Sequence, residues 1–346
     1  MVPPEDALRM WRRLPQSRLN RVVAVDTHTA GELTRVVLKS EIELPRLEVP
    51  EVRRYFAEHH DAVRKRVCRE PRGHRDLVVA WLLPPSQEEA HAGVIFMDAQ
   101  RYPLACGTAT VGTVTALVEM GLVEPTDGEV LLETPAGLVA SRVEMEHGLV
   151  RRVRLDMVRA CITRRDQLLR CSEGDFRVDL GFVGGFLLLV EAKQLPFPLS
   201  PDKVEPIVSL GMEMVVAANQ EWEVLHPATG ERYTVDGVVF YDDSQHEALL
   251  GSGTVVYGAS HLDRSPCGTG TTVKMALLHS HGGIQVGDRF QNRGILGTQF
   301  TGLLTEQVQV GGFPGVAVEL AASASLVSFH ELFVTPGDPL ADGFLL

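Results

Sequence analysis

Cys106-Gly107-Thr108-Ala109-Thr110 in the first half of the chain and Cys267-Gly268-Thr269-Gly270-Thr271 in the second half share one short phrase. A Cys-Gly-Thr turn that occurs once in each half of a 346-residue chain indicates two similar half-chains. Each half then presents one thiol. The pattern therefore predicts an active site that contains two thiols, one from either half.

Each cysteine is followed by a segment with the apolar spacing of a helix. In the first half the pattern runs over 111–120, and Gly121 can serve as the C-terminal cap. In the second half it runs over 273–278 and ends at Gly282-Gly283. We therefore expect both sulfur atoms to lie just before a helix N-terminus.

A thiol at that place should ionise more easily than a free cysteine, because unpaired backbone N–H groups and the helix dipole stabilise a thiolate. We therefore expect a lowered pKa at both Cys106 and Cys267. The small Gly and Thr residues that follow each cysteine leave N–H groups open to a carboxylate, which helix N-termini bind well.

Two such thiols suit the inversion of an amino acid's α-carbon, in which a base removes the Cα proton from one face and an acid supplies a proton to the other. A lone cysteine is more often an inert buried residue, and this is our interpretation of Cys68, Cys161 and Cys171. The duplicated phrase favours function for the other two. A disulfide between them is disfavoured in a reducing compartment, and zinc is disfavoured because neither has a second ligand at Cys-x-x-Cys spacing.

The stretch Asp263-Arg264-Ser265-Pro266-Cys267-Gly268-Thr269-Gly270-Thr271 resembles the C-terminal catalytic motif of the proline racemase superfamily. That superfamily includes proline racemases, 4-hydroxyproline 2-epimerases and trans-3-hydroxy-L-proline dehydratases. Other segments resemble the family in its own order, from about residue 22 to the C-terminus. They are Asp26-Thr27-His28-Thr29-Ala30-Gly31-Glu32, Glu70-Pro71-Arg72-Gly73-His74, Gly184-Gly185-Phe186, His226-Pro227, Gly297-Thr298-Gln299-Phe300-Thr301-Gly302 and Asp338-Pro339-Leu340-Ala341-Asp342-Gly343-Phe344.

The resemblance implies a role for each residue of the two phrases. Cys106 and Cys267 become the acid and base. Asp263 accepts hydrogen bonds from the substrate's ring ammonium, and the backbone amides of Gly268 and Thr269 hold the substrate's carboxylate. No cofactor and no metal are implied. The substrate-binding residues that follow from the resemblance are Gly107, Thr108, Asp263, Gly268 and Thr269.

Two positions bear on the activity. Family epimerases and dehydratases usually carry histidine where this chain has Thr108, which offers only a neutral hydroxyl. The family's dehydratases generally carry threonine at the position of Cys267, so the retained cysteine favours inversion. We expect a cofactor-independent racemase or epimerase of proline or hydroxyproline, 4-hydroxyproline above all. The alternatives are a trans-3-hydroxy-L-proline dehydratase, an imino-acid-binding homologue with impaired catalysis, and a redox sensor that uses both thiols.

Composition narrows the partners and the compartment. A formal net charge of −12 makes nucleic acid an unsuitable partner. Met1–Arg18 lacks the apolar core of a signal peptide, and no apolar run approaches the roughly 20 residues of a membrane span. Five cysteines without regular spacing indicate a reducing compartment, so we expect the cytoplasm. The expected partner is a small-molecule substrate, with a homodimer as the assembly to test.

Many short strand patterns around a few helices predict an α+β protein with mainly antiparallel sheets. The resemblance implies the diaminopimelate-epimerase-like fold, in which two similar domains each wrap a sheet around a central helix and the site lies in the cleft between them. We expect domains at 20–165 and 166–330, with 330–346 returning to the first. The boundary is expected at the charged stretch 161–171, and one amphipathic helix is expected over 52–67. His28, His74 and Glu32 are interpreted as structural.

Overall fold

The computed structural model describes residues 21–243, 249–258 and 260–346, and our prediction for Met1–Arg18 lies outside them. The first half contains β1 (Val22–Thr29), β2 (Glu32–Ser40), α1 (Val49–His59), α2 (Asp61–Cys68), β3 (Val78–Leu83), β4 (Ala92–Met97), α3 (Gly107–Glu119), β5 (Glu129–Thr134), β6 (Gly137–Glu146) and β7 (Leu149–Asp156). The second half begins with β8 (Ala160–Cys171), β9 (Gly174–Phe182), β10 (Phe186–Glu191), α4 (Val204–Glu221), β11 (Val224–Leu225), β12 (Arg232–Tyr233) and β13 (Val235–Asp242). It ends with β14 (Leu250–Tyr257), β15 (His261–Leu262), α5 (Gly268–Ser280), β16 (Arg289–Arg293), β17 (Gln299–Val310), β18 (Phe313–Ala322) and β19 (Ala324–Leu332).

Hydrogen-bonded pairing makes the sheet barrel-like. In the second half, eight strands pair in a closed ring in the order β8, β9, β10, β13, β14, β16, β17 and β18, with β18 returning to β8. In the first half, the strands follow the order β19, β1, β2, β3, β4, β5, β6 and β7. The end of β18 pairs with β7, so this strand joins the two halves. Most pairings are antiparallel, as the strand patterns predicted.

The two helices that follow the cysteines are buried against these strands. Helix α3 contacts β1, β2, β3, β7 and β19, and α5 contacts β8, β9, β10, β17 and β18. Every residue of α3 from Thr108 to Leu117 is buried. In such a helix a threonine hydroxyl can donate to a backbone carbonyl one turn earlier. Thr110 Oγ1 accordingly donates to the Cys106 carbonyl at 2.8 Å, and Thr272 Oγ1 donates to the Gly268 carbonyl at 2.9 Å.

The prediction of one helix over 52–67 was wrong, because the chain forms α1 and α2 with a break at His60. α1 buries Val52 and Phe56, whereas α2 buries Arg64, whose guanidinium donates to Asp61 at 2.6 Å. The turn at His60 lets each short helix direct its own face inward, which one straight helix could not do.

The stretch 161–171 is also not a connection between strands, because it lies within β8 and pairs with β9 and β18. Its charged residues Arg164 and Asp166 lie at irregularities in the register with β9, and Asp166 has φ +49°. The charges therefore mark a bulge with a solvent-exposed side, while Cys161 and Leu169 are buried.

The last residues of the chain lie against the first half. β19 pairs with β1, and Phe344 pairs with Glu70 just after α2. Arg72 Nη2 donates to the Ala341 carbonyl at 2.7 Å. None of the helices in the described part of the chain is long and apolar enough to cross a bilayer.

Candidate active site

Both cysteines of the duplicated phrase occupy the N-cap position of their helix. Cys106 caps α3 with φ −151° and is half-buried. Cys267 caps α5 with φ +60° and is 6% exposed. The predicted placement of the two sulfur atoms is confirmed, but the two caps differ in backbone conformation, since φ +60° is uncommon for a residue other than glycine.

Each thiol contacts the threonine hydroxyl two residues further along. Cys106 Sγ lies 3.4 Å from Thr108 Oγ1, and Cys267 Sγ lies 3.3 Å from Thr269 Oγ1. Cys267 Sγ also accepts a hydrogen bond from the Gly270 N–H at 3.3 Å. The Cys-Gly-Thr phrase therefore builds the same local contact twice.

The expectation of lowered thiol pKa values was wrong. Burial raises the pKa of Cys106 and raises that of Cys267 well above its ordinary value. The Thr108 hydroxyl and the Ala109 N–H lower the pKa of Cys106, and Thr269 and Gly270 act likewise on Cys267, yet removal of water outweighs these contacts. The nearby Asp263 charge raises both further.

Asp263 is 4% exposed and lies just before the second phrase. Its Oδ1 accepts hydrogen bonds from the Ser265 N–H at 2.8 Å and the Ser265 hydroxyl at 2.7 Å. The same hydroxyl oxygen accepts from the Cys267 N–H at 3.0 Å, so Ser265 connects the carboxylate to the cysteine. Burial, with the charge of Glu32 second, raises the pKa of Asp263 to about 6.

The segment that carries Asp263 and Cys267 is held by a buried amide. Asn292 Nδ2 donates to the Pro266 carbonyl at 3.1 Å and to Thr271 Oγ1 at 2.8 Å. Gly270 has no space for a side chain, since a Cβ there would lie 2.6 Å from Val255 Cγ2. These contacts hold the unusual backbone of Cys267 in place.

The structure brings residues of both halves to one region. Helices α3 and α5 contact each other, and the charge of Asp263 acts on both sulfur atoms. Tyr257 is half-buried beside them, and its pKa is raised well above the ordinary value by removal of water first and then by the charges of Asp263, Glu32 and the two cysteines. Thr108 is 7% exposed, and its carbonyl accepts from Thr29 Oγ1 at 2.8 Å.

Sequence reasoning missed three residues of this region: Glu32, Tyr257 and His261. The Glu32 carboxylate is buried and lies 2.9 Å from His261 Nε2, and the His261 ring stacks on Tyr257 with centroids 4.5 Å apart. Glu32 stands in one of the quoted phrases, but its partner lies 229 positions away, so no local pattern could reveal the contact.

His28, His74 and the three cysteines outside the duplicated phrase have the surroundings of structural residues. His28 Nδ1 accepts from the Gly31 N–H at 3.2 Å, and His74 Nδ1 accepts from the Asp76 N–H at 3.2 Å. Cys68 and Cys161 are fully buried, and Cys171 is half-buried. The inert interpretation of these five side chains is consistent with their contacts.

Comparison with known proteins gives the family. The proline racemase family model matches residues 24–345. The chain is 34% identical to the proline racemase of Clostridioides difficile over 329 residues, which cover 94% of this chain and 98% of the relative. It is 33% identical to 4-hydroxyproline 2-epimerase 2 of Rhizobium rhizogenes over 322 residues, covering 92% and 97%.

Solved structures agree with this relationship. The hydroxyproline epimerase of Agrobacterium vitis, crystallised with trans-4-hydroxy-L-proline, superposes with a TM-score of 0.82 at 29% identity, over 95% of this chain and 96% of that one. The family-model match over residues 24–345 spans both cysteine phrases. The chain therefore belongs to the proline racemase family of amino-acid isomerases.

Proposed function

We propose that this protein inverts the Cα configuration of proline or hydroxyproline without a cofactor, using Cys106 and Cys267 as the acid and base. The observation that carries the proposal is the pair of N-capping thiols, one from each half, within reach of one buried carboxylate, Asp263. In the architecture we propose, two similar domains at 20–165 and 166–330 each surround one of the helices α3 and α5, and the substrate lies in the cleft between them.

In the proposed reaction one sulfur starts as a thiolate and the other as a thiol. The thiolate takes the Cα proton, so the C–H electron pair stays on the substrate as a carbanion and an S–H bond forms. The opposite thiol then gives its proton to the other face of Cα and becomes the thiolate. Protons and charge balance, and the enzyme ends with its two protonation states exchanged.

The buried site helps this chemistry in spite of the raised thiol pKa values. A thiolate of high pKa is the stronger base toward a weakly acidic Cα–H. In the free enzyme, the charge of Asp263 opposes formation of that thiolate. A substrate ammonium beside Asp263 neutralises this charge, so we infer that the thiolate becomes accessible when substrate binds.

Backbone amides are the proposed carboxylate site. The first N–H groups of α3 and α5, those of Gly107 and Thr108 and of Gly268 and Thr269, lie at helix N-termini, where an anion is stabilised. A carboxylate held there stays fixed while the proton moves between the faces of Cα.

The test is deuterium incorporation at Cα in D2O, followed by 1H NMR under reducing conditions. The substrates are proline, both 4-hydroxyproline epimers and trans-3-hydroxy-L-proline. We propose 4-hydroxyproline as the substrate that exchanges fastest. Proline is the substrate to compare, because relatives named for either compound match over nearly the whole chain. No exchange with any substrate refutes the proposal, and a cyclic imine from trans-3-hydroxy-L-proline identifies a dehydratase instead.

Cysteine variants sharpen the test. Cys106→Ala and Cys267→Ala should each lose inversion, and any remaining exchange should be confined to one substrate enantiomer, the opposite one in each variant. Cys171→Ala is the matched control, because Cys171 is free and half-buried like Cys106 but caps no helix. Equal exchange of both enantiomers in either active-site variant contradicts a two-base mechanism.

We also propose a homodimer that pairs through β19. Among the described strands β19 pairs with β1 alone, and its Leu326, Val327 and Phe329 are 38%, 57% and 64% exposed. An exposed apolar edge strand favours pairing with another chain, and a two-fold axis lets the same strand serve both copies. Light scattering should give twice the chain mass for the native protein and the single-chain mass for Phe329→Glu.

The proposed catalytic role requires free thiols, and all five cysteines are free in the structure. A reducing compartment keeps facing thiols from forming a disulfide. We therefore propose the cytoplasm as the compartment in which the enzyme works.

A further inference from the structure

The turn between β1 and β2 inserts against the second half of the chain. Ala30 and Gly31 have φ +51° and +106°, which gives a tight hairpin turn. The Ala30 carbonyl accepts from Thr298 Oγ1 at 2.7 Å, and a Cβ on Gly31 would lie 2.7 Å from Leu296 Cδ1. This close fit carries the next residue, Glu32, into the second half.

Both carboxylate oxygens of Glu32 bind groups on either side of Asp263. Oε1 lies 2.9 Å from His261 Nε2, and Oε2 accepts from the Arg264 N–H at 2.8 Å. The Glu32 side chain is 1% exposed, so it is removed from water together with these partners. A second contact, from Arg264 Nη2 to Asp76 Oδ2 at 2.9 Å, ties the same segment to the first half.

We propose that Glu32 is a positioning residue of the reaction: its two carboxylate contacts fix the segment that presents Asp263 to the substrate amine. The inference rests on the proposed function and names a residue that works from the opposite half of the molecule. It also explains why a carboxylate from the first half of the chain is buried against the segment that carries Asp263.

The titratable groups that face Asp263 come from several elements. They are Glu32 on β2, Tyr257 on β14, His261 on β15, and Cys106 and Cys267 at the starts of α3 and α5. After burial, Glu32 is the larger influence on Asp263 and raises its pKa, while His261 lowers it. Burial alone would lower the pKa of His261, but the Glu32 hydrogen bond and charge outweigh it and raise the pKa.

Glu32→Gln keeps the shape and removes the charge. The pKa of Asp263 should then fall, because the effect of Glu32 exceeds that of His261, and the acid limb of the kcat/KM profile should move to lower pH. If the pKa of Asp263 falls by about one unit, the ratio of kcat/KM at pH 5.5 to that at pH 8 should rise about threefold. Glu32→Ala also frees the segment, and a misplaced Asp263 should lower kcat/KM about 100-fold, mainly through KM.

Glu133→Gln is the matched control. Glu133 is as buried as Glu32 and likewise accepts from backbone N–H groups, at Ser86 and Gln87, but it has no contact with the region of Asp263. This variant should lose stability without any change in the pH profile. If Glu32→Gln keeps the wild-type profile, or if Glu133→Gln shifts it equally, the positioning role is refuted.

A readout that needs no turnover separates this inference from the proposed function. Glu32 raises the pKa of Cys106, so Glu32→Gln should speed alkylation of Cys106 by iodoacetamide at pH 8. Cys171, read in the same peptide map, should be unchanged, since its acidic neighbours are Glu213, Glu221 and Asp175. If Glu32→Gln speeds alkylation of Cys106 alone but the wild type shows no exchange, only the proposed function is refuted. If the wild type is active and Glu32→Gln leaves the alkylation of Cys106 unchanged, the role of Glu32 is refuted.

Discussion

The backbone of Cys267 offers a sharp test of how the site is built, because Cys106 and Cys267 share a cap position and a following Gly-Thr but differ in φ. Both cap a helix and both precede Gly-Thr, but φ is −151° at Cys106 and +60° at Cys267. We compare alanine with glycine at each position, so that the thiol is absent from all four variants. The quantity of interest is the free energy of unfolding gained on going from alanine to glycine.

The expected magnitude follows from three contributions. A residue with a side chain held in a sparsely populated φ,ψ region costs about 1–3 kcal/mol, which glycine at 267 relieves. Loss of the buried Cβ at 267 costs about 0.8 kcal/mol. The greater unfolded-state entropy of glycine and its preference at an N-cap apply at both positions and cancel in the comparison. The gain at 267 should therefore exceed that at 106 by about 1 kcal/mol.

Urea unfolding followed by tryptophan fluorescence, with all variants at one pH and under reducing conditions, measures this difference. All four variants should lose inversion of the substrate, so any gain in stability is separate from function. Equal alanine-to-glycine effects at the two positions, or a loss at 267 larger than that at 106, would refute the argument that the native site holds Cys267 in a strained conformation.

Three further predictions concern single side chains. Burial raises the pKa of Asp263 from 3.8 to about 6, so ionisation of this carboxyl lowers the free energy of unfolding as pH rises from about 4 to 6. Asp263→Asn should therefore have a free energy of unfolding about 3 kcal/mol above that of wild type at pH 8, with little difference at pH 4. Lys274 on α5 is 2% exposed and pairs with Asp243, and burial lowers its pKa to about 8. The free energy of unfolding of the wild type should therefore rise relative to that of Lys274→Met between pH 8 and 10. Parallel curves of unfolding free energy against pH would contradict this. Thr108→Val removes the hydroxyl that lowers the pKa of Cys106, so iodoacetamide should alkylate Cys106 about fivefold more slowly at pH 8. An unchanged alkylation rate would show that the hydroxyl does not stabilise the thiolate.

Local patterns predicted the parts of the site that depend on neighbours in sequence. The helices after both cysteines begin and end near the predicted residues, because capping and apolar periodicity act over one or two turns. The same rules failed at 52–67, where the apolar spacing fits one helix. The chain instead forms α1 and α2 on either side of His60, and each of these helices buries its own face. They also failed at 161–171, where a charged stretch was interpreted as a connection between strands although it lies within β8 and pairs with β9 and β18.

The amino-acid sequence by itself determined the family, the two thiols, their place at helix N-termini and the carboxylate at Asp263, since each of these is written in a few consecutive residues. Only the tertiary structure decided how readily the thiols and the Asp263 carboxyl of the site ionise. Whether a thiol at a helix N-terminus is easily ionised depends on how much water its neighbours remove, and those neighbours come from both halves of the chain. The contacts of Glu32 with His261 and Arg264 likewise exist only once the hairpin turn has docked, because hydrogen bonds depend on distances in space and not on positions in the chain.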